Sequence, residues 1–573
     1  MDAGKRNINE IFISSRILEV PFFQRSYVWQ EAQWSRFLED MEYVSSGNEP
    51  YFMGSLILKQ QATDSASRIG DVRLVVDGQQ RLTTLSILMK VLSLKLHTED
   101  RFKWQFTLFD GRPVLQHNHN DEAAYNRIIK LTDLVDLSQQ DGITKLYMYF
   151  KEHADPEKLN YDKICNLILF VGIDLTQNED EQQIFDTINS LGVRLTTAEL
   201  LKNYFFGRED LEAYRENWLN VFEKDEETRS YWDQEITTGR IHRTFIDLFF
   251  YSFLQIKIQD STYGVSTEDK NRFSKVERLF DSYKIFVSKY CDGNKASLLS
   301  EIRDYAKVFQ RVFTPAVLTE ELSAQDGLKR INTIMFGLDT ATLIPYVLFI
   351  EKNEQDMGKR NELYDYLESY IMRRLVTRQP TQNYNRLFSE KLILNRVLTR
   401  DELIKALSDI NDTTNRMPTD AEVSAAFHES ILTNKYAAGV LYMIESKVRN
   451  RSLHSTALLG LSRYSLEHMM PKKWRNHWDF EGALLEKEAR DRILLTLGNL
   501  TIITQSLNAS IRDAAWEKKK KGDGSKGGLE LYAAGLETLS SFLVSEEWNE
   551  EKIKERADYL AETALRVWPA QNW

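Results

Sequence analysis

The stretch "VVDGQQRLTTLSILMKVL", residues 75–92, constrains the fold more than any other. A β-branched run, Val75 and Val76, stops at Asp77-Gly78, and an apolar-periodic segment begins after Gln79, Gln80 and Arg81. β-Branched residues suit a pleated strand and Asp-Gly suits a turn, so the order reads strand, turn, helix. That junction is a building block of layered α/β domains. It also gathers unpaired backbone N–H groups and the positive end of a helix dipole at one point, which makes an anion site. Gly78 lets the turn approach a ligand, and Arg81 lies on the first helical turn where its guanidinium can fork onto a phosphate. Gln79 and Gln80 can donate to and accept from a base or sugar edge. The alternative is a polar helix cap with Arg81 paired to a neighbouring acid. No GxxxxGK[ST] occurs, which excludes a P-loop.

Around this junction the first 210 residues mix short strands and helices. "RILEVPFF", "YFMGSLILK", "VRLVVDG" and "KWQFTLF" read as strands bounded by turn or charged residues. From 211 to 410 apolar residues recur three and four apart, as in "RTFIDLFFYSFLQ", "VERLFDSYKIFVSKY" and "NELYDYLESYIMRRLV", which predicts a helical connecting region. "SDINDTTNRMPTDAE", residues 408–422, reads as a linker, and 411–573 forms a third domain. The expected fold class is a multidomain α+β chain, predominantly helical.

The bulk numbers fit this. A chain of 573 residues suggests about four domains, with two or three also compatible. At 42% hydrophobic and 28% charged it is a globular rather than a disordered composition. Cys165 and Cys291 are too few for a disulfide framework and too far apart for zinc-ligand spacing, so they read as buried thiols. The start "MDAGKRNINEIFISS" has no apolar signal core and "LILFVGIDL" is too short to cross a bilayer, so a cytoplasmic protein with no membrane partner is expected. Net charge is −11, so any nucleic acid must be held by local basic surface rather than by an overall positive field.

Two further N-terminal stretches stand out. "VPFFQRSYVW" leaves Gln24, Arg25, Tyr27 and Trp29 just beyond a strand, where scaffolds present binding residues. "FDTINSLGVRLTTAELLKNYFF" has Asn189 and Gly192 in a turn, Thr196 or Thr197 as a helix cap, and Lys202 inside the helix. In the order found, with "YFMGSLIL" and "VVDGQQRLTTL" between them, they resemble the GmrS-type N-terminal domain of GmrSD restriction proteins over residues 8–210. The resemblance implies a ParB/sulfiredoxin-like α/β fold in which Gly78-Gln79-Gln80-Arg81 matches a phosphate-holding GxxR. It further implies a domain that binds and hydrolyses GTP or ATP through Asp77 to Arg81, Asn189 and Lys202, and senses DNA modification through Gln24, Arg25, Tyr27 and Trp29.

A second constellation lies near the other end. "YSLEHMMPKKW" sets Glu467-His468 at the end of a short apolar segment. "LGNLTIITQSLNASI" follows as a turn and strand leading to Asn508, and then "AAWEKKKK". A histidine beside a carboxylate, followed by asparagines and a helix, is the inventory of a ββα-metal, or HNH, nuclease. The alternative is a satisfied core histidine beside a surface glutamate. From 464 onward the order "EHMMP", "LGNLTIITQSLN", a lysine helix, and a tail with Trp548, Arg556, Trp568 and Pro569 resembles the GmrD-type HNH domain. That implies His468 as general base, Asn499 in the catalytic set as the brace of its loop, and Glu467 and Asn508 as ligands of Mg²⁺ or another divalent metal.

The interval from His468 to Asn499 exceeds that of a minimal HNH finger, so "RNHWDFEGALLEKEARDRILLT" must contain an inserted helix, and His477 within it is given no chemistry. Glutamate in place of the commoner aspartate also leaves direct coordination by Glu467 open. Lys518, Lys519, Lys520, Lys521 and Lys526 could grip DNA phosphates, or form a solvated helix end. The expected function is a nucleotide-regulated, metal-dependent endonuclease of antiphage defence that nicks or cuts modified double-stranded phage DNA. Its expected partners are DNA and a nucleoside triphosphate, with a homodimer allowed. Alternatives are a phosphorothioate-sensing nuclease tied to a DNA-modification system, a nucleotide-gated DNA-binding protein that does not cleave, and a nuclease indifferent to modification.

Overall fold

The computed structural model describes the chain except residues 1, 22–23, 25, 62–70, 177–196, 207–209, 239–240, 409–413, 450–457, 479, 481–483, 524–526, 534 and 571–573. Arg25, Asn189 and Lys526, together with the Asn189–Gly192 turn, lie outside the described residues. The chain divides into two compact units, Met1–Arg215 and Glu216–Trp573. The expected boundary at 410 falls inside the second of these.

The first unit is built on a six-stranded mixed sheet in the order β1-β6-β3-β4-β2-β5. Its strands are β1 (Asp2–Asn7), β2 (Arg16–Glu19), β3 (Tyr51–Gln60), β4 (Asp71–Asp77), β5 (Leu115–Gln116) and β6 (Ile168–Leu175). Alternation sends Leu56, Leu58 and Val75 into the main core and Ile57, Val76, Ile173 and Leu175 into a smaller cluster. β4 passes directly into the helix Gln79–Lys95, the junction expected from the sequence. Leu82, Leu85, Leu88, Met89 and Leu92 of that helix are at most 1% exposed. Its buried hydroxyls are satisfied within the helix: Thr83 donates to the Gln79 carbonyl and Thr84 to that of Gln80, both at 2.8 Å.

Two strand expectations need correction. "KWQFTLF" begins as the end of a helix, Glu99–Phe106, because Phe102 and Phe106 at four-residue spacing both reach the core and stack, while Trp104 between them is exposed. "RILEVPFF" yields only the four residues of β2, ending before Pro21, which has no N–H for a ladder. "LILFVGIDL", noted only as a short apolar run, supplies the β6 strand between β1 and β3.

The second unit is mainly helical. Trp218, Phe222, Trp232, Phe249, Phe250 and Phe309 form one aromatic cluster around the buried helix Phe245–Gln259, which follows the antiparallel pair β7 (Glu235–Thr238) and β8 (Ile241–Thr244). The helix Met357–Val376 carries Glu368, Arg373 and Arg374, all about 1% exposed. Glu368 takes a bidentate pair from Arg330 at 2.6 and 2.7 Å and the Trp568 indole N–H at 2.9 Å.

The expected linker is tied down over its described part. Tyr370 donates to the Asn415 carbonyl, Arg374 to that of Arg416 and Arg373 to that of Pro418, at 2.9–3.1 Å. Thr419 then caps the helix Asp420–Glu429 in a capping box with Glu422. Buried arginines need acceptors, and this segment's carbonyls provide them. Of the two thiols, Cys165 is buried and Cys291 only partly so.

Candidate functional site

In the first unit the two N-terminal motifs meet. Gln24 donates from Nε2 to the Val76 carbonyl at 2.9 Å, and Gln80 accepts from the Val28 N–H at 3.0 Å while donating to the Ser26 carbonyl at 3.4 Å. Asp77 Oδ2 accepts from Ser55 Oγ at 2.7 Å and from Arg81 Nη2 at 3.0 Å, and Arg81 Nη1 donates to the Met53 carbonyl at 3.2 Å. Close packing requires glycine twice. Gly78 has φ 105°, and a Cβ there would meet Leu56 Cδ1 at 2.8 Å; Gly54 has φ 113°, and a Cβ there would sit 2.2 Å from Arg81 Nη1. Arg81 is thus paired to a neighbouring acid, as in the alternative reading, while Gly78 stands at the N-cap and no side chain caps the helix. A phosphate fits Arg81 only by competing with Asp77 for its charge. Gln79 and Lys202 are buried.

Tyr27 is 5% exposed, which corrects the expectation that it presents a ring to DNA. Its hydroxyl accepts from the Trp34 indole at 3.0 Å and donates to Thr84 Oγ1 at 2.6 Å, since Thr84 spends its own proton on the Gln80 carbonyl. Burial pushes the Tyr27 hydroxyl well above the ordinary range. Trp29 is half-buried, edge-on to Phe37.

The same knot includes residues that the sequence reading passed over. Asn118 donates to the Pro21 and Gln24 carbonyls at 3.1 and 2.7 Å, His117 bonds Thr83 at 3.2 Å, and Asp121 accepts the Tyr27 N–H at 2.7 Å. Burial holds His117 neutral, with its pKa down at about 3, and raises Asp121 to about 6. Their signal was "HNHND", five polar residues holding two of the chain's nine histidines.

In the second unit β9 (Tyr464–His468) pairs antiparallel with β10 (Leu500–Thr504), placing His468 opposite Leu500 and Glu467 opposite Thr501. The helix Gln505–Ile511 follows at once, capped by Thr504. Asn508 on this helix donates from Nδ2 to Ser465 Oγ and the Leu466 carbonyl, both at 3.1 Å, which pins helix to strand. Its Oδ1 remains as an acceptor.

Asn499 is fully buried and uses all four of its hydrogen-bonding positions. Oδ1 accepts from the Met470 N–H at 2.8 Å and the Trp548 indole at 3.0 Å, and Nδ2 donates to the Met470 and Leu494 carbonyls at 2.8 and 2.9 Å. It therefore braces the loop after His468, the role the resemblance implies, with no side-chain hydrogen-bonding position left over. Arg556 holds the same turn from the helix Glu550–Val567, donating from Nη1 to the carbonyls of Leu497, Gly498 and Leu500.

His468 sits partly buried at the end of β9. Burial, with the charges of Lys472 and Lys519, lowers its pKa to about 4, so the imidazole is neutral at pH 7. Among the described residues none hydrogen-bonds that ring.

The expected ligand set fits less well. Glu467 is 6% exposed and ion-paired with Lys519, and among the described residues no group of three or more His, Cys, Asp or Glu side chains could hold a metal. Glu467 as found does not fit a divalent ion. Of the lysines expected to grip DNA, Lys519 is wholly buried, and Lys520 is turned inward to the Ser545 carbonyl at 3.1 Å. Lys518 is largely exposed, with Asp523 at 3.7 Å. Lys521 pairs with Glu517. The inserted segment does form a helix, Leu484–Ile493.

Fold and site together define a multidomain protein, an α/β unit followed by a mainly helical one that carries a histidine set between two asparagine anchors. Residues 8–206 match the model of the GmrSD restriction endonuclease N-terminal domain, and residues 417–563 match that of the GmrSD restriction endonuclease C-terminal domain. Together the matches take in more than half of the chain, which belongs to the GmrSD restriction endonuclease family. It is thus a nuclease of antiphage restriction, and DNA is its partner. No curated protein matches the chain. Among the described residues no helix is long and apolar enough to cross a membrane.

Proposed function

We propose that the chain cuts DNA by the chemistry of a ββα-metal, or HNH, nuclease, with His468 as general base. What supports it is a neutral imidazole without a hydrogen-bond partner among the described residues, at the end of a strand that Asn508 holds and ahead of a loop that Asn499 braces. Such a base takes a proton from the water that attacks phosphorus; the bond to one ester oxygen breaks and the leaving oxygen acquires a proton. A bound divalent ion supplies charge stabilisation at the phosphate. Asn508 Oδ1 would be one donor to such an ion, its Nδ2 being engaged by Ser465 and Leu466.

Plasmid nicking with Mg²⁺ tests the reading. His468→Ala is expected to lose about 10²–10⁴-fold in rate. Wild type that cleaves no DNA, plain or modified, overturns it in favour of a non-cleaving DNA-binding protein. Modified phage DNA is the proposed substrate, with GTP or ATP as regulator at the Asp77–Arg81 junction. A panel of plain, hydroxymethylated, glucosylated and phosphorothioated DNA, with and without each nucleotide, decides both. Equal cleavage of all four would mean a nuclease indifferent to modification.

A further inference from the structure

Lys519 has no part in the chemistry just described, yet its charge is fully enclosed beside His468. It lies on the helix Trp516–Lys521 with a side chain that is 0% exposed. Its ammonium meets the Glu467 carboxylate and donates to the His468 carbonyl oxygen at 2.7 Å. A fully buried ammonium needs a counter-charge, and so does a buried carboxylate. Each supplies the other's, and burial opposes the charged form of both.

The neighbouring contacts show what this pair holds. Met469 N–H donates to the Asn499 carbonyl at 3.0 Å. The peptide group joining His468 to Met469 is therefore clamped on both sides, its oxygen by Lys519 and its N–H by Asn499. The helix carrying Lys519 is itself anchored, because the Trp516 indole and the Lys520 ammonium both donate to the Ser545 carbonyl at 3.1 Å. A divalent ion on Glu467 would lie against this fixed ammonium, where like charges in a low-dielectric site repel strongly.

We propose that Lys519 is a positioning residue for His468 and that Glu467 is the counter-ion of Lys519, not a metal ligand. The positioning half rests on the nuclease reading above; the pairing half does not.

Glu467→Gln, Lys519→Met and the double variant test it, read by thermal unfolding, Mn²⁺ calorimetry and nicking kinetics. Each single change leaves one buried charge uncompensated and lowers Tm by about 5 °C, while the double variant recovers most of that loss. Mn²⁺ binding is the same, whatever its strength, in wild type and double variant. In the double variant kcat falls at least about tenfold while KM for DNA stays within about twofold, since a misplaced base slows chemistry without weakening binding. Weaker Mn²⁺ binding in the double variant makes Glu467 a ligand and overturns the proposal, as does wild-type kcat in that variant. Wild type inactive on every DNA sinks the nuclease reading instead, and the Tm coupling and Mn²⁺ comparison still decide the pairing.

Discussion

At His468, burial and two nearby lysines set the pH at which a base stops working. The neutral form is the active one, so activity is retained above the pKa and lost as pH falls through it. With that pKa at about 4, kcat for nicking should stay flat from about pH 7.5 down to about 5.5, where an ordinary histidine of about 6.5 would have lost most of its base form. A half-loss near 6.5 refutes the depressed value. Arg81 gives a second prediction at this scale. If triphosphate binds at the junction, Asp77→Asn releases the guanidinium and tightens binding of GTP or ATP in calorimetry, and Arg81→Ala abolishes it. Unchanged binding in both variants puts the phosphate elsewhere. His468, Asn499 and Asn508 were legible only as members of ordered motifs, since Asn508 meets Ser465 across 43 residues and Asn499 meets Trp548 across 49. The burial of Tyr27 and Lys519 was not, because each is decided by partners far along the chain, Thr84 for one and Glu467 for the other.

Among elements, the turn Leu497–Asn499 is pressed against the helix Glu550–Val567. A Cβ on Gly498 would lie 2.3 Å from the Ile553 carbonyl oxygen and 3.0 Å from Ala557 Cβ. Backbone cannot retreat as a flexible side chain can, so Gly498→Ala should destabilise the unit by about 1–3 kcal/mol, seen as a lower Tm. It should also slow nicking, since Asn499 moves with the turn. Unchanged Tm would mean that the helix gives way freely. The strand–turn–helix at 75–92 and the strand in "LGNLTIITQSLN" could be read locally, since propensity and tertiary context agree there. "KWQFTLF" misled because Trp, Phe and Thr favour strands in general, while this sequence buries Phe102 and Phe106 on one helical face.

At the scale of the whole chain, the helical region and the C-terminal segment share one core. Arg373 donates to Trp568 O at 2.8 Å and Ser369 to the Pro569 carbonyl at 2.7 Å, so the tail of the C-terminal segment packs on Met357–Val376. A fragment of residues 216–573 should unfold cooperatively, whereas one of 411–573 would expose Trp568 and the face of Asn434–Val448 that meets Arg330, and should not. Cooperative unfolding of the shorter fragment refutes this. Composition marked 408–422 as a break because Asp, Asn, Thr and Pro are turn formers; nothing local revealed that buried arginines would claim its carbonyls. The Glu368–Trp568 contact spans 200 residues. At about 5–20 residues per second of synthesis, Glu368 leaves the ribosome about 10–40 s before its indole partner exists. Until then the buried Glu368 carboxylate lacks one of its donors, so the core of the second unit closes only after its last helix has been made.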